Sequence, residues 1–328
     1  MSSKTKLALV AAVTAATAFT GSGVASAAIP HFKHYVALGD SYTAGPLIPF
    51  QRLDPLTCFR STNNYPAWLA DGLKIRDYTD ASCSSADTTN MTQPQPIPLG
   101  TAAPQFSALK PDTDLITIGI GGNDSRVFGT LVGDCPKLTH QDPAGSPCKD
   151  SFTVDGVDTI KQRLVGTQAR VTEVLREAHV RSPNAKVLLV GYPRIAPPTG
   201  YCPDILPFAD GDLRWLDSVE RALNQALANA AVADRRTAYV DTYGPSLGHD
   251  ACATGGAAWI QGKDLDPLAA YPYHPRKSGM VGVASVVQKT LKAGPPVKAA
   301  VPSVTASMPV ADPRQVGELM TTAGALGR

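Results

Sequence analysis

The sequence predicts an α/β fold, a three-layer α/β/α sandwich in which helices cover both faces of a central parallel sheet. Three observations carry this. Segments such as Leu115-Ile-Thr-Ile-Gly-Ile120 and Val187-Leu-Leu-Val190 are apolar at nearly every residue rather than at alternate ones, as a strand must be when both of its faces are covered. These segments alternate with amphipathic stretches of helical length, the order expected when parallel strands are joined by crossover helices. Small polar motifs follow several of the strands directly, at the carboxyl ends where such sheets bind ligands.

Taken in order, residues 35–38 form an apolar first strand that stops at Gly39, and residues 65–73 form the first substantial helix. A short strand is expected at 78–81 and an apolar one at 115–120, followed by a long amphipathic helix over 157–179. Then come a strand at 186–190, a helix at 213–233, a strand at 237–240 and a last helix from Pro275 to about Leu291. Residues 88–103 and 129–153 read as irregular loops, long for connections inside a compact domain. Both lie just after candidate site motifs, so they are expected to face substrate.

The ends of the chain differ in composition from its middle. Lys4 and Lys6 precede an apolar run over 7–19 and the small-residue pattern Ala25-Ser26-Ala27, the pattern of a secretory signal peptide cut after Ala27. A membrane anchor would need about 20 strongly apolar residues, and this run is too short and too rich in Ala and Thr. The expected organisation is a signal peptide at 1–27, one domain at 28–292 and a Pro- and Ala-rich flexible tail at 293–328, in a secreted, extracellular protein.

Charge and cysteines narrow the function further. The formal net charge is +2, and the signal peptide takes two lysines with it, so the remainder is near neutral and has no basic footprint for nucleic acid. No charge run suits a stable electrostatic membrane anchor, and no oligomer interface is predicted, so a monomer is expected. The six cysteines, Cys58, Cys83, Cys135, Cys148, Cys202 and Cys252, all follow the signal peptide. An even count in a secreted chain argues for disulfides, but six cysteines allow fifteen pairings. Sequential pairing would close three local loops, each stabilising by about 3 kcal/mol in the chain-entropy view. No C-x-x-C or H-E-x-x-H spacing supports zinc.

Three motifs sit at strand ends: Gly39-Asp40-Ser41, Cys83-Ser84-Ser85-Ala86-Asp87 and Gly121-Gly122-Asn123-Asp124. Alone, Ser41 could be a helix cap and Asn123 a turn residue. With His274-Pro275 near the end of the chain, they resemble the SGNH (GDSL) hydrolase superfamily, and within it the secreted actinobacterial lipases and esterases with three disulfides. The resemblance covers about residues 33–291 and implies a flavodoxin-like parallel sheet and a carboxylic ester hydrolase that uses no metal and no organic cofactor.

Serine ester hydrolysis needs a nucleophile, a base that returns its proton to the leaving group, and donors for the oxyanion. The resemblance assigns the first to Ser41 and the second to His274. It assigns the oxyanion hole to the backbone N–H of Ser41, the backbone N–H of Ser85 and the side-chain amide of Asn123. His249 is the alternative histidine, expected to be structural or substrate-facing. Asp40 and Asp124 are expected to hold loops through side-chain to backbone bonds, and Tyr42 and Thr43 to shape the turn.

Two residues depart from the family pattern. Ser85 stands where the family usually has Gly, which puts a side chain beside the hole. Tyr271 stands three residues before His274, where many relatives have the Asp that orients the imidazole. A Ser41–His274 dyad is therefore expected, with the main-chain carbonyl of Tyr271 or Pro272 orienting the ring and Asp264 or Asp266 as the alternative carboxylate. The apolar tract at 46–50 is a candidate acyl-binding wall, suiting a lipase, esterase or phospholipase A-type activity on acyl esters or lipids. A carbohydrate acetylesterase and a non-catalytic secreted binding module are the alternatives.

Overall fold

The computed structural model describes residues 29–293, so the expected signal peptide and the tail beyond 293 lie outside the described residues. In chain order the strands are β1 His34–Gly39, β2 Asp77–Asp80, β3 Gln95–Ile97, β4 Gly100–Ala102, β5 Leu115–Gly119, β6 Thr153–Val154, β7 Val157–Asp158, β8 Lys186–Val190 and β9 Ala238–Val240. The helices are α1 Ser41–Ala44, α2 Tyr65–Gly72, α3 Cys135–Leu138, α4 Pro147–Ser151, α5 Thr159–Arg181, α6 Asp210–Asp234 and α7 Lys277–Lys292.

Five strands form the main sheet in the order β2-β1-β5-β8-β9, all parallel. Counted along the sheet this is the flavodoxin-like order 2-1-3-4-5, whose switch point lies between β1 and its neighbour β5. Alternate residues face opposite layers. Val36 and Leu38 of β1 and Ile116 and Ile118 of β5 pack with Val171 and Leu175 of α5 and Leu223 and Leu227 of α6. Tyr35, Ala37 and Leu115 face Leu69 of α2 and Met280 and Val283 of α7. Each Val, Leu, Ile or Met among them, once buried, contributes about 1.5–3 kcal/mol, which explains why these strands carry no alternation of polar residues. The buried hydroxyl of Thr117 is satisfied by Tyr35 at 2.7 Å.

Most element boundaries fall within a few residues of expectation, and the exceptions have local causes. The 157–179 helix starts at Thr159, because Val157 and Asp158 pair with Thr153 and Val154 in a small hairpin and the Asp158 carboxylate caps the helix through the Lys161 N–H. The last helix starts at Lys277 rather than Pro275, which instead bridges to Ile260. The two stretches read as irregular contain short elements. A 3-10 turn at Thr88–Met91, closed by the Asp87 and Asn90 side chains, leads into the β3–β4 hairpin, and 129–153 holds a wide turn, α3 and α4. The cysteines pair in sequence order, Cys58–Cys83, Cys135–Cys148 and Cys202–Cys252.

Candidate active site

Gly39 ends β1, and any Cβ there would overlap Thr43 Oγ1 and the Gly119 carbonyl oxygen, so only glycine lets the chain turn this closely. Asp40 then caps α1, its carboxylate accepting from the Tyr42 N–H at 2.9 Å. Ser41 is therefore not the cap but the first helical residue, with its hydroxyl unclaimed by the helix. Gly45 closes this single turn in the left-handed conformation, donating to the Ser41 carbonyl at 3.0 Å.

His274 arrives from the other end of the chain. Its Nε2 lies 2.8 Å from Ser41 Oγ and its Nδ1 2.7 Å from the Pro272 carbonyl oxygen. A carbonyl only accepts, so the neutral ring carries its proton on Nδ1 and presents the Nε2 lone pair to the serine hydroxyl. The choice left open by the sequence falls to Pro272. The Tyr271 carbonyl accepts the His274 backbone N–H instead, and the Tyr271 ring stands edge-on to the imidazole at 5.4 Å. Neither alternative carboxylate reaches the ring: Asp264 pairs with Lys263 at 2.7 Å, and Asp266 accepts from the Leu268 N–H. Burial pushes the imidazole down to about 4, the bond to Pro272 acting in the opposite direction.

The expected donors converge at the same strand ends. Among the described residues, the N–H groups of Ser41 and Ser85 donate to no acceptor. Asn123 gives one amide hydrogen to the Ala86 carbonyl at 2.9 Å and keeps the other. The family's usual glycine has a physical counterpart here, because Ser85 sits at φ +66°, in the left-handed region that favours glycine. Asp124 holds loops as expected, accepting from the N–H and hydroxyl of Thr88 and from Arg170 on α5. His249 stacks on Trp259, and its Nδ1 bonds the Ala257 carbonyl.

Two supports escaped the sequence reading. Gln105 clamps Gly39 like an extra strand, accepting from its N–H at 2.7 Å and donating to its carbonyl at 2.9 Å. Tyr192 donates to Asp40 Oδ2 at 2.5 Å and accepts from the Gly122 N–H at 2.8 Å, tying the first motif to the third. Burial raises the Asp40 carboxyl to about 7, against the hydrogen bonds from Tyr192 and Tyr42. Tyr42 does more than shape the turn: its hydroxyl donates to the Tyr273 carbonyl at 2.6 Å and its ring packs on the His274 imidazole at 5.2 Å. The 46–50 tract divides. Ile48 is buried beside Leu69 and Met280, whereas Phe50, 77% exposed, borders with Leu268, Arg276 and Lys277 a shallow cavity of about 300 Å³ that includes neither Ser41 nor His274.

A hydroxyl facing a neutral imidazole, beside free amide donors at the switch point of a parallel sheet, has the parts of an acyl-transfer hydrolase. The chain belongs to the GDSL-like lipase/acylhydrolase family, which it matches over residues 37–280, and is a carboxylic ester hydrolase of that family. It is 39% identical to Lipase 2 of Streptomyces coelicolor over 255 residues, 75% of this chain and 81% of that protein. It is 33% identical to an esterase of Streptomyces scabiei over 249 residues, 66% of this chain and 72% of the other. Its fold is similar to that of phospholipase A1 from Streptomyces albidoflavus, with TM-score 0.66 and 24% identity over 79% of this chain and 99% of that one. An extracellular lipase of Streptomyces rimosus superposes with TM-score 0.61 at 25% identity, again over 79% and 99%.

Proposed function

We propose that the chain is a secreted lipid esterase in which Ser41 and His274 form a catalytic dyad. The observation that carries this is the 2.8 Å contact between Ser41 Oγ and His274 Nε2. Ser41 Oγ attacks the acyl carbonyl carbon as its proton passes to His274 Nε2, and the carbonyl oxygen becomes an oxyanion held by the N–H groups of Ser41 and Ser85 and the free amide hydrogen of Asn123. The tetrahedral intermediate expels the alcohol, which takes the proton back from Nε2 and leaves an acyl-enzyme. Water then attacks the acyl carbon, again giving a proton to Nε2; collapse releases the carboxylic acid and returns the proton to Ser41. Throughout, the Pro272 carbonyl fixes the ring and the tautomer. Ser41→Ala should reduce kcat at least ~10⁴-fold, and a phosphonate inhibitor should add to Ser41, read by mass. Full activity of Ser41→Ala, or an adduct elsewhere, overturns the dyad.

The kinship to Lipase 2 and the exposed Phe50 and Leu53 after the Ser41 helix, with Leu265 and Leu268 before His274, favour lipid esters over polar ones. Hydrolysis of micellar long-chain p-nitrophenyl esters should outpace that of acetylated xylan, and the reverse order sinks the lipid reading. Export is supported by the three disulfides and the pattern over 1–27, among described residues that hold no helix long and apolar enough to cross a membrane. The processed protein should begin at Ala28, with a catalytic domain to 292 and a tail beyond, and should run as a monomer on size exclusion.

A further inference from the structure

We propose that Gln95 is a positioning residue for the oxyanion hole: it holds the peptide between Ser84 and Ser85 in the one orientation that leaves the Ser85 N–H free for the oxyanion. The inference rests on the reading of Ser41 as nucleophile.

The Ala86 N–H donates to the Cys83 carbonyl at 3.1 Å, closing a β-turn over 83–86. Its third residue, Ser85, has φ +66°, while Ser84 is not in the positive range. That combination is a type II turn, which ordinarily places glycine at the third position. Types I and II share their ends and differ by rotation of the central peptide through about 180°. A trans peptide points its C=O and N–H in opposite directions, so the rotation would put the Ser84 carbonyl where the Ser85 N–H now stands. A donor for the oxyanion would become a lone pair facing it.

The Ser85 side chain favours that rotation, since a residue with a Cβ is strained in the left-handed region. Most anchors of the turn do not oppose it. The bonds from Cys83 N–H to Gly39 C=O, from Ser84 N–H to Cys58 C=O and from the Asn123 amide to Ala86 C=O involve groups outside the rotating peptide. The bond from Gln95 Nε2 to the Ser84 carbonyl, 2.8 Å long, belongs to the type II state alone. Gln95 opens β3 and is buried, and its Oε1 has no partner among the described residues, so the bond to Ser84 is the one its buried amide makes, with an acceptor left unsatisfied beside it. In relatives with glycine at the third position, the turn would need no such brace.

The test is a cycle of Gln95→Met and Ser85→Gly, assayed on a soluble p-nitrophenyl ester. Losing an oxyanion donor outright costs ~10²–10³ in kcat, and a partial shift toward the rotated turn should cost about tenfold. Gln95→Met should therefore lower kcat about tenfold with KM within about twofold, and weaken a boronic acid transition-state analogue in parallel. In the Ser85→Gly background, the same substitution should cost less than about threefold. Equal losses in both backgrounds, or no loss in wild type, overturn the proposal, because a merely structural glutamine is indifferent to residue 85. If Gln95→Met does not fold, Ser85→Val probes the turn from the other side, since a β-branched residue resists positive φ. It should lower kcat while the enzyme stays folded at the assay temperature, and an unaltered kcat overturns the proposal. Ser41→Ala separates the two failures. Activity that survives it removes the nucleophile reading itself, whereas absent coupling in an enzyme that it silences removes only the role of Gln95.

Discussion

The sharpest consequence of a histidine oriented by a carbonyl rather than a carboxylate lies in the acid limb of the pH profile. Burial disfavours the imidazolium, and the Pro272 carbonyl offsets it only in part, so the ring stays neutral down to about pH 4. For kcat/KM, which reports the free enzyme, the neutral fraction at pH 5 is then about 0.9, against about 0.03 for an ordinary imidazole near 6.5. Against a neutral ester, activity at pH 5 should therefore stay within about twofold of that at pH 8. Stopped assays that quantify released fatty acid avoid the ionisation of nitrophenol. Asp264→Asn with Asp266→Asn should leave both the limb and the rate within about tenfold, since neither carboxylate touches the ring. An acid limb near 6.5 that shifts when those two residues are replaced would show a hidden carboxylate partner and refute the reasoning.

Two other perturbations test the scaffold under the site. The folded Asp40 carboxyl is raised from 3.8 to about 7, so the native state binds the extra proton and its stability falls as pH rises through that interval. Between pH 5 and 8 the wild type should lose on the order of 3 kcal/mol that Asp40→Asn keeps, so the melting temperature of the variant should gain on that of wild type as pH rises; a pH-independent difference would refute this. Gly39→Ala should cost on the order of 2–3 kcal/mol, because its Cβ meets Thr43 and the Gly119 carbonyl while Gln105 and the Cys83 N–H hold the backbone in place. The expected loss in melting temperature is about 5–10 °C, and an unchanged value would show that the turn can relax.

Ser41 and Asn123 were legible because each lies in a short motif just after a strand, His274 because it stands in a His-Pro pair just before the last helix, and the apolar runs of β1, β5 and β8 show in the sequence without any tertiary information. Gln95, Gln105 and Tyr192 were not. Gln105 and Tyr192 act through partners far away along the chain, Gln95 reaches Ser84 across an irregular stretch, and a single glutamine or tyrosine has no spacing that marks it. The exception in part is Ser85, whose departure from glycine was visible, although only the turn geometry shows what it costs. The short elements in 88–103 and 129–153 were hidden for another reason: side-chain caps such as Asp87 with Asn90 and the Cys135–Cys148 bond define them, not hydrophobic periodicity.

A carbonyl in place of the carboxylate changes how the proposed mechanism divides its work. A carboxylate both aims the imidazole and stabilises its charge; the Pro272 carbonyl, a dipole without net charge, aims it and does little for the cation. Aim is already secured here, because Tyr42 and Tyr271 pack against the ring and the Tyr42 hydroxyl holds the Tyr273 carbonyl next to it. What goes unsupplied is charge stabilisation when the imidazolium and oxyanion form together, and that must come from the oxyanion side. The rigid bracing of that side follows the same logic: Gln105 on Gly39, Tyr192 between Asp40 and Gly122, and Gln95 on the 84–85 peptide fix the donors before substrate arrives, so no reorganisation is needed at the moment of reaction. A site with a weak base can tolerate little misalignment of its donors. Loosening any of these braces should therefore lower kcat more steeply here than in a relative whose histidine has a carboxylate behind it.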